Sequence, residues 1–200
     1  MLGVGSFGSV YKGVLTDGTL VAIKVLNLQN EEAHRSFTSE CNALRKIRHR
    51  NLIKVINCCS NFDIKALVFP YMENGSLEKW LYPGEEDVCQ LSFSQRLQMA
   101  IDIAQGLIYL HHQCFVQVVH CDLKLSNVLL GDDMTGYIAD FGIARLTFEN
   151  DIESVTSAHI LKGSIGYISL GINFCLVKYI YVLLFVIFIN FLFEFFIEMV

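Results

Sequence analysis

The stretch Val119–Asn127 constrains the fold of this chain more than any other part of it. Shortly after two β-branched residues, it places an aspartate, a lysine and an asparagine in one loop, at Asp122, Lys124 and Asn127. Thirteen residues past Asn127 comes the tripeptide Asp140–Gly142, which reads DFG. A fold that uses these polar residues together must bring the loop and the tripeptide into one cleft.

A glycine-rich segment near the N-terminus leads into strands rather than into a helix. Its spacing is set by three glycines and a valine, Gly3, Gly5, Gly8 and Val10. Such spacing alone is a weak signal, because dinucleotide-binding folds use it before a helix. Here a strand pattern over residues 10–15, a turn at 16–19 and a second strand over Leu20–Leu28 predict a hairpin. Backbone N–H groups in a hairpin of this kind can cover phosphate groups.

The second strand carries a lysine that needs a partner. Strand alternation puts Ala22 and Lys24 on the same face. Residues 31–48 have the apolar spacing of an amphipathic helix, and Glu40 lies on its apolar side. A carboxylate there is costly unless it is paired, so we expect Glu40 to pair with Lys24. The alternative is a solvated glutamate at the edge of the apolar stripe.

The rest of the chain contains further strands and two more helices. The patterns predict strands over Leu52–Ile56, Ala66–Phe69 and Tyr137–Ala139, and helices over Leu77–Leu81 and residues 93–112. Ser76 is a candidate N-cap for the short helix. Ser92 and Gln95 have the spacing of a capping box at the start of the long one. The long helix has a wide apolar arc, and we expect burial over much of its surface.

Taken together, these motifs resemble those of the protein kinases. A Gly-rich hairpin, V-A-I-K, an inward glutamate, H-x-D-L-x-x-x-N and D-F-G occur here in kinase order. Short segments such as RHRNLIK, YMENGSLEKWL and DIAQGLIYLH resemble those of the cytoplasmic kinase domain of plant leucine-rich-repeat receptor-like kinases. The resemblance covers residues 2–168.

The resemblance implies an α+β, two-lobe, protein-kinase-like fold. The small lobe and hinge would occupy residues 1–72, and part of the large lobe would occupy residues 73–168, breaking off after the activation segment. Residues 169–200 would form a separate tail containing a hydrophobic C-terminal helix.

The resemblance also implies roles in serine/threonine phosphorylation from ATP with Mg²⁺. Asp122 would accept or orient the proton of the substrate hydroxyl, and Lys124 would steady the transferring phosphoryl group. Asn127 and Asp140 would hold Mg²⁺. The implied ATP-binding residues are Gly3, Gly5, Gly8, Val10, Ala22, Lys24, Glu40, Phe69, Pro70 and Met72.

The implied ATP-binding residues would contact different parts of the nucleotide. The glycines would cover the phosphates, while Lys24 would bind the α- and β-phosphates and be fixed by Glu40. Phe69 would lie at the back of the adenine pocket. Residues 70–72 would form the hinge, where backbone groups bond the base.

Composition and resemblance together limit the classes of partner that we expect. A formal net charge of −5 argues against nucleic acid. Seven cysteines without a C-x-x-C pair favour a reduced cytosolic compartment. The resemblance implies protein substrates, co-receptor kinases, and a place at the plasma membrane with the kinase portion in the cytoplasm.

Two residues depart from the kinase pattern within the catalytic loop. Cys121 stands where the family usually has an arginine that pairs with a phosphate on the activation loop, which a neutral thiol cannot do. By resemblance to innate-immune receptor kinases with the same gap, we expect phosphate on the activation loop to change ATP turnover little. The residues concerned are Thr147, Ser154, Thr156 and Ser157. Leu125 replaces a common proline and loses its fixed φ, for which we expect a modest effect.

The resemblance stops at Ile168, and a strongly apolar tail follows. Its uncharged run, Tyr179–Phe193, has 15 residues, fewer than the roughly 20 of a straight membrane crossing. Three interpretations stay open: membrane contact through residues 172–200, a buried replacement helix, or translated non-coding sequence. Two functions follow for the whole chain. One is an active protein serine/threonine kinase, and the other is a catalytically inactive fragment that binds only nucleotide or a partner kinase.

Overall fold

The computed structural model describes residues 1–5, 8–27, 31–62, 64–84 and 91–147. Within them, the fold is α+β, with a five-stranded antiparallel sheet followed by a mainly helical part. The sheet consists of β1 (Gly3–Gly5), β2 (Gly8–Val14), β3 (Leu20–Leu26), β4 (Asn57–Ser60) and β5 (Lys65–Pro70). Its strand order is β1-β2-β3-β5-β4, so that β4 forms one edge.

Helix α1 (Glu31–Lys46) packs against one face of this sheet. Lys24 on β3 and Lys65 on β5 both point to that face. Their Nζ atoms lie 2.9 Å from Glu40 Oε2 and 2.8 Å from His34 Nδ1 of the helix. Apolar side chains of the helix fill the space between, and the buried ones are Ala33, Phe37, Ala43 and Leu44. The amphipathic pattern therefore places α1 across β3 and β5.

The helical part is built around α3 (Phe93–Ile108), which continues into one turn of π-helix at Tyr109–Gln113. A short helix, α2 (Leu77–Leu81), precedes it. Short strands follow in two antiparallel pairs, β6 (Gln117–Val119) with β9 (Arg145–Thr147), and β7 (Val128–Leu130) with β8 (Gly136–Ile138). The buried side of α3, which includes Met99, Ala100, Ile103 and Leu107, forms the core under these strands.

The segment between α1 and β4 ties the sheet to the helical part. Ile53 donates its backbone N–H to Ile138 O of β8 at 2.9 Å. The buried Asn51 donates its side-chain amide to Gly136 O at 3.1 Å. From the other side, Gly136 donates its N–H to the Asp102 carboxylate of α3 at 3.0 Å. One short strand is thus hydrogen-bonded to both parts of the fold.

The α+β fold class is confirmed, but several element boundaries differ from the predictions. Residues 52–56 do not form a strand; on either side of Leu52, Asn51 O accepts from Ile138 N and Ile53 N donates to Ile138 O, and β4 begins at Asn57. Helix α1 ends at Lys46, and β3 ends at Leu26. The short helix has the predicted bounds, although the Ser76 side chain makes no capping hydrogen bond.

The long helix departs further from the prediction of burial over much of its surface. Four of its large apolar residues are exposed within the described part of the chain: Phe93, Leu97, Ile101 and Ile108. They lie on one side of α3, next to the buried arc. Among the described residues, no helix is long and apolar enough to cross a membrane. The predicted hydrophobic helix of the tail lies outside these residues.

The capping box at the start of α3 is present and can be tested. Ser92 Oγ accepts from Gln95 N at 3.3 Å, and Gln95 Oε1 accepts from Ser92 N at 3.0 Å. We expect Ser92→Ala to lower the free energy of unfolding by about 1 kcal/mol, since the backbone N–H of Gln95 loses its acceptor. Urea unfolding measures this. Ser60→Ala, at an exposed serine of β4, is the control, and equal losses in the two variants would contradict a specific capping role.

Candidate functional site

Lys24 joins three distant parts of the chain at one point. Its ammonium nitrogen lies 2.9 Å from Glu40 Oε2 on α1 and 2.6 Å from Asp140 Oδ1 in the loop after β8. The pairing of Lys24 with Glu40 that the sequence predicted is therefore present. Because Asp140 shares the same ammonium group, the glutamate helix, the sheet and the DFG tripeptide are held around a single charge.

In this cluster Lys24 favours the charged forms of both carboxylates, whereas burial opposes them. Burial disfavours the charged form of Lys24, but the carboxylates of Glu40 and Asp140 outweigh it and raise the Lys24 pKa. Glu40 is fully buried, and this burial raises its pKa even though Lys24 acts in the opposite direction. For Asp140, burial is again unfavourable, yet the attraction of Lys24 lowers the pKa below its ordinary value. At neutral pH, Lys24 and Asp140 are therefore charged.

The polar loop after β6 forms a second cluster close to the first. Lys124 Nζ lies 3.0 Å from Asp122 Oδ2. Asn127, at the end of a 3₁₀ turn, donates its side-chain amide to Asp122 Oδ2 at 3.1 Å and to Asp122 O at 2.8 Å. Ala139 N donates to Asn127 O at 2.8 Å, just before Asp140. The predicted loop and tripeptide are thus brought together through backbone as well as side chains.

His120 belongs to this frame, although the sequence analysis assigned it no role. It is buried, with Nε2 2.9 Å from Ala139 O and its ring centroid 4.7 Å from that of Phe141. Burial lowers the pKa of His120, which favours the neutral ring. Nε2–H then donates to Ala139 O, while Nδ1 accepts from Asp122 N at 3.3 Å. Its position two residues before Asp122 was the sequence signal that could have identified His120 as part of the site.

Three predicted nucleotide-binding residues of the sheet, Val10, Ala22 and Phe69, lie on the same face as Lys24. In the antiparallel register, Val10 lies opposite Lys24, and Ala22 lies opposite Phe69. Opposite residues share a face of the sheet. Pro70 ends β5, and Met72 is partly buried against the core.

The three glycines of the glycine-rich segment differ in whether a larger residue could replace them. A Cβ on Gly8 would lie 2.1 Å from Val25 O, so that no larger residue fits without movement of the backbone. Gly3 has no atom within 4 Å of such a Cβ, and Gly5 has only Gly8 O at 3.9 Å. A Cβ on either of the first two glycines would therefore meet no crowding, while Gly8 is required by the hairpin itself.

The donors near Asp140 suit Mg²⁺ by their chemistry. Among the described residues, no group of three or more His, Cys, Asp or Glu side chains is arranged to hold a metal by itself. Mg²⁺ commonly takes only one or two protein carboxylates, with phosphate oxygens and water completing the shell. Asp140 and Asn127 offer oxygen donors of this type at the same cleft.

The fold and the arrangement of these motifs define the protein kinase class. A family model described as protein tyrosine and serine/threonine kinase matches residues 1–170. The chain therefore belongs to the protein kinase family, in agreement with the resemblance found in the sequence.

Plant receptor kinases are among its most similar relatives. A probable LRR receptor-like serine/threonine-protein kinase of Arabidopsis thaliana is 47% identical over 84% of this chain. A putative leucine-rich repeat receptor-like serine/threonine-protein kinase of the same plant is 46% identical over 84%. Receptor kinase-like protein Xa21 of Oryza sativa subsp. japonica is also 46% identical over 84%. The chain spans 17–18% of the length of these relatives.

Removing the charge of Lys24 should reveal how much free energy it costs to bury the two carboxylates without a cation. We expect Lys24→Met to lower the stability by about 3–5 kcal/mol at pH 8, as for other broken buried ion pairs. The deficit should shrink as the pH falls toward 5. Without Lys24, the Glu40 pKa rises further above its unfolded value, so that protonation in this range favours the folded state. Urea unfolding at several pH values measures this.

The double variant Lys24→Met/Glu40→Gln serves as the control, because it removes the buried charge together with its partner. It should recover part of the lost stability and show a flatter pH dependence than the single variant. A Lys24→Met deficit that is the same at every pH would contradict this account of the cluster.

Proposed function

We propose that this chain is the catalytic portion of a protein serine/threonine kinase, which transfers the γ-phosphate of ATP to protein hydroxyl groups. The observation that carries the proposal is the contact of Lys24 with both Glu40 and Asp140. Kinases need the lysine–glutamate pair and the DFG aspartate in place at once. The printed names of the relatives, which are serine/threonine or receptor-like kinases, support the substrate class.

The loop residues would handle the acceptor hydroxyl. Asp122 would accept or orient its proton, since its carboxylate is held by Asn127 and faces the cleft beside Lys124. Lys124 would steady the phosphoryl group as negative charge moves across it. Little covalent chemistry is required of the protein, so that position and charge supply most of the catalysis.

The sheet side would bind the nucleotide. Lys24 would contact the α- and β-phosphates, with Glu40 fixing its position. Backbone N–H groups around Gly3, Gly5 and Gly8 would cover the phosphates. Adenine would lie against the remaining residues of the predicted set, which are Val10, Ala22, Phe69, Pro70 and Met72.

Mg²⁺ would be held by Asn127 and Asp140, whose oxygen donors fit it. When bound, it neutralises charge on the phosphates. Asp140 would then exchange part of its contact with Lys24 for the metal, because the same carboxylate cannot serve both fully. His120 would act on the position of this aspartate through Ala139 and Phe141.

The wider biology is proposed from the relatives. Residues 1–72 would form the small lobe and hinge, and residues 73–168 the part of the large lobe present here. Residues 169–200 would form the separate hydrophobic tail. The substrates would be serine and threonine side chains of proteins, with co-receptor kinases as partners, and the kinase portion would lie on the cytoplasmic side of the plasma membrane.

Transfer of labelled phosphate from Mg·ATP tests the proposal. The full chain should phosphorylate itself or an added basic protein on serine or threonine. We expect Asp122→Asn to lower this rate by at least about 100-fold, because proton transfer and orientation are lost. A nucleotide-dependent rise in melting temperature should persist in Asp122→Asn, since Asp122 does not bind the phosphates.

Asp133→Asn is the matched control, because Asp133 is an exposed aspartate in the turn between β7 and β8. It should leave the rate nearly unchanged. A melting-temperature shift without any incorporation in the unaltered chain would instead indicate a nucleotide-binding fragment. Incorporation on tyrosine alone would contradict the serine/threonine assignment.

A further inference from the structure

Two cysteines, Cys41 on α1 and Cys58 on β4, face each other across the junction of helix and sheet. Neither belongs to the kinase motifs. In the register of the sheet, Lys24 lies opposite Leu67, and Leu67 lies opposite Cys58. Opposite residues of antiparallel strands share a face. Cys58 is therefore on the face that carries Lys24, which is the face covered by α1.

Helix α1 brings Cys41 to the same region. Cys41 directly follows Glu40, and it lies one turn after Phe37, which is buried against the sheet. The Lys65 ammonium group, on the same face as Cys58, lies 5.5 Å from the centre of the Phe37 ring. Cys41 is partly buried and packs against the core, whereas Cys58 is exposed on the edge strand.

The electrostatics of Cys41 agree with this placement. Its pKa is raised to about 11, chiefly by burial and next by the neighbouring Cys58 thiol. Cys41 thus remains protonated under ordinary conditions, while the Cys58 sulfur is the one that oxidants in solution reach first.

Cys59 provides a contrast within the same strand. It is also exposed, but it lies opposite Ala66 in the register. Successive residues of a strand point to opposite faces, so Cys59 points away from α1. Cys58 can pair with Cys41 because it lies on the face of β4 that α1 covers, and Cys59 does not.

We propose that Cys41 and Cys58 form an oxidation-sensitive thiol pair, whose disulfide ties α1 to the edge of the sheet. With hydrogen peroxide as oxidant, the Cys58 thiol is oxidised to the sulfenic acid and one water is released. The Cys41 thiol then gives up its proton, and its sulfur attacks the Cys58 sulfur; the S–S bond forms, the S–O bond breaks, and the hydroxyl leaves with that proton as a second water. The two thiols lose two electrons in total, and the peroxide accepts both.

The consequence follows from the neighbour of Cys41. Glu40 is the residue that holds Lys24, and a bridge at the next position would fix the helix against the sheet while Lys24 and Glu40 are in contact. That effect on phosphoryl transfer rests on the proposed function, whereas the cross-link does not. Disulfides in cytosolic proteins are usually transient and often regulatory, in keeping with an exposed partner that reductants can also reach.

Peptide mapping tests the pair directly and needs no enzyme activity. The full chain is treated with hydrogen peroxide, its remaining thiols are alkylated, and it is digested with trypsin without reduction. We expect a peptide of residues 36–45 joined to one of residues 55–65, lighter by two hydrogens and lost on reduction. A disulfide needs the two Cα atoms within about 7 Å, so that this product also reports the packing of α1.

Three variants and one mixing experiment complete the design. Cys41→Ser and Cys58→Ser should each abolish the joined peptide, while Cys59→Ser should retain it at full yield. Oxidising a mixture of ¹⁵N-labelled and unlabelled chains should give no mixed product, because the bridge lies within one chain. If the unaltered chain instead joins Cys58 to Cys59, or links Cys58 between chains, or leaves Cys41 unbridged, the proposal is overturned.

Discussion

The ion pairs of Lys24 are the interaction on which the site depends. A fully buried carboxylate such as Glu40 is expensive to maintain, and only a close cation makes its burial tolerable. Lys24 supplies that charge and at the same time binds Asp140. The position of α1 and the position of the loop after β8 are consequently coupled. A displacement of either one would leave a charge in a poorly solvated place.

Hydrogen bonds and a ring contact between uncharged groups hold the backbone next to this charged centre. The ring of His120 bonds the backbone at Ala139 and packs on Phe141, while Asn127 bonds the backbone of the same strand end. Asn51 holds β8 from the opposite side. None of these contacts involves a charged group. They place the charged groups without neutralising them.

The sequence predicted the contact of Lys24 with Glu40 better than it predicted the boundaries of helices and strands. Motifs such as the Lys24–Glu40 pair could be read because a polar group on a buried face needs a specific partner. Residues 52–56 were misread as a strand, because a short apolar run looks the same whether it joins a sheet or bonds to one residue such as Ile138. The exposure of Leu97 on α3 could not be read either, since apolar spacing marks a surface able to be buried without showing what covers it.

Calorimetric titration of the full chain with ATP, with and without Mg²⁺, tests the central claim most directly. If the charged groups form one cleft for magnesium nucleotide, a single binding site should appear whose affinity depends on Mg²⁺. That dependence should be lost in Asp140→Asn and retained in Asp132→Asn, which alters an exposed aspartate of the turn before β8. Binding that is indifferent to Mg²⁺, or equally strong in Asp140→Asn, would contradict the account.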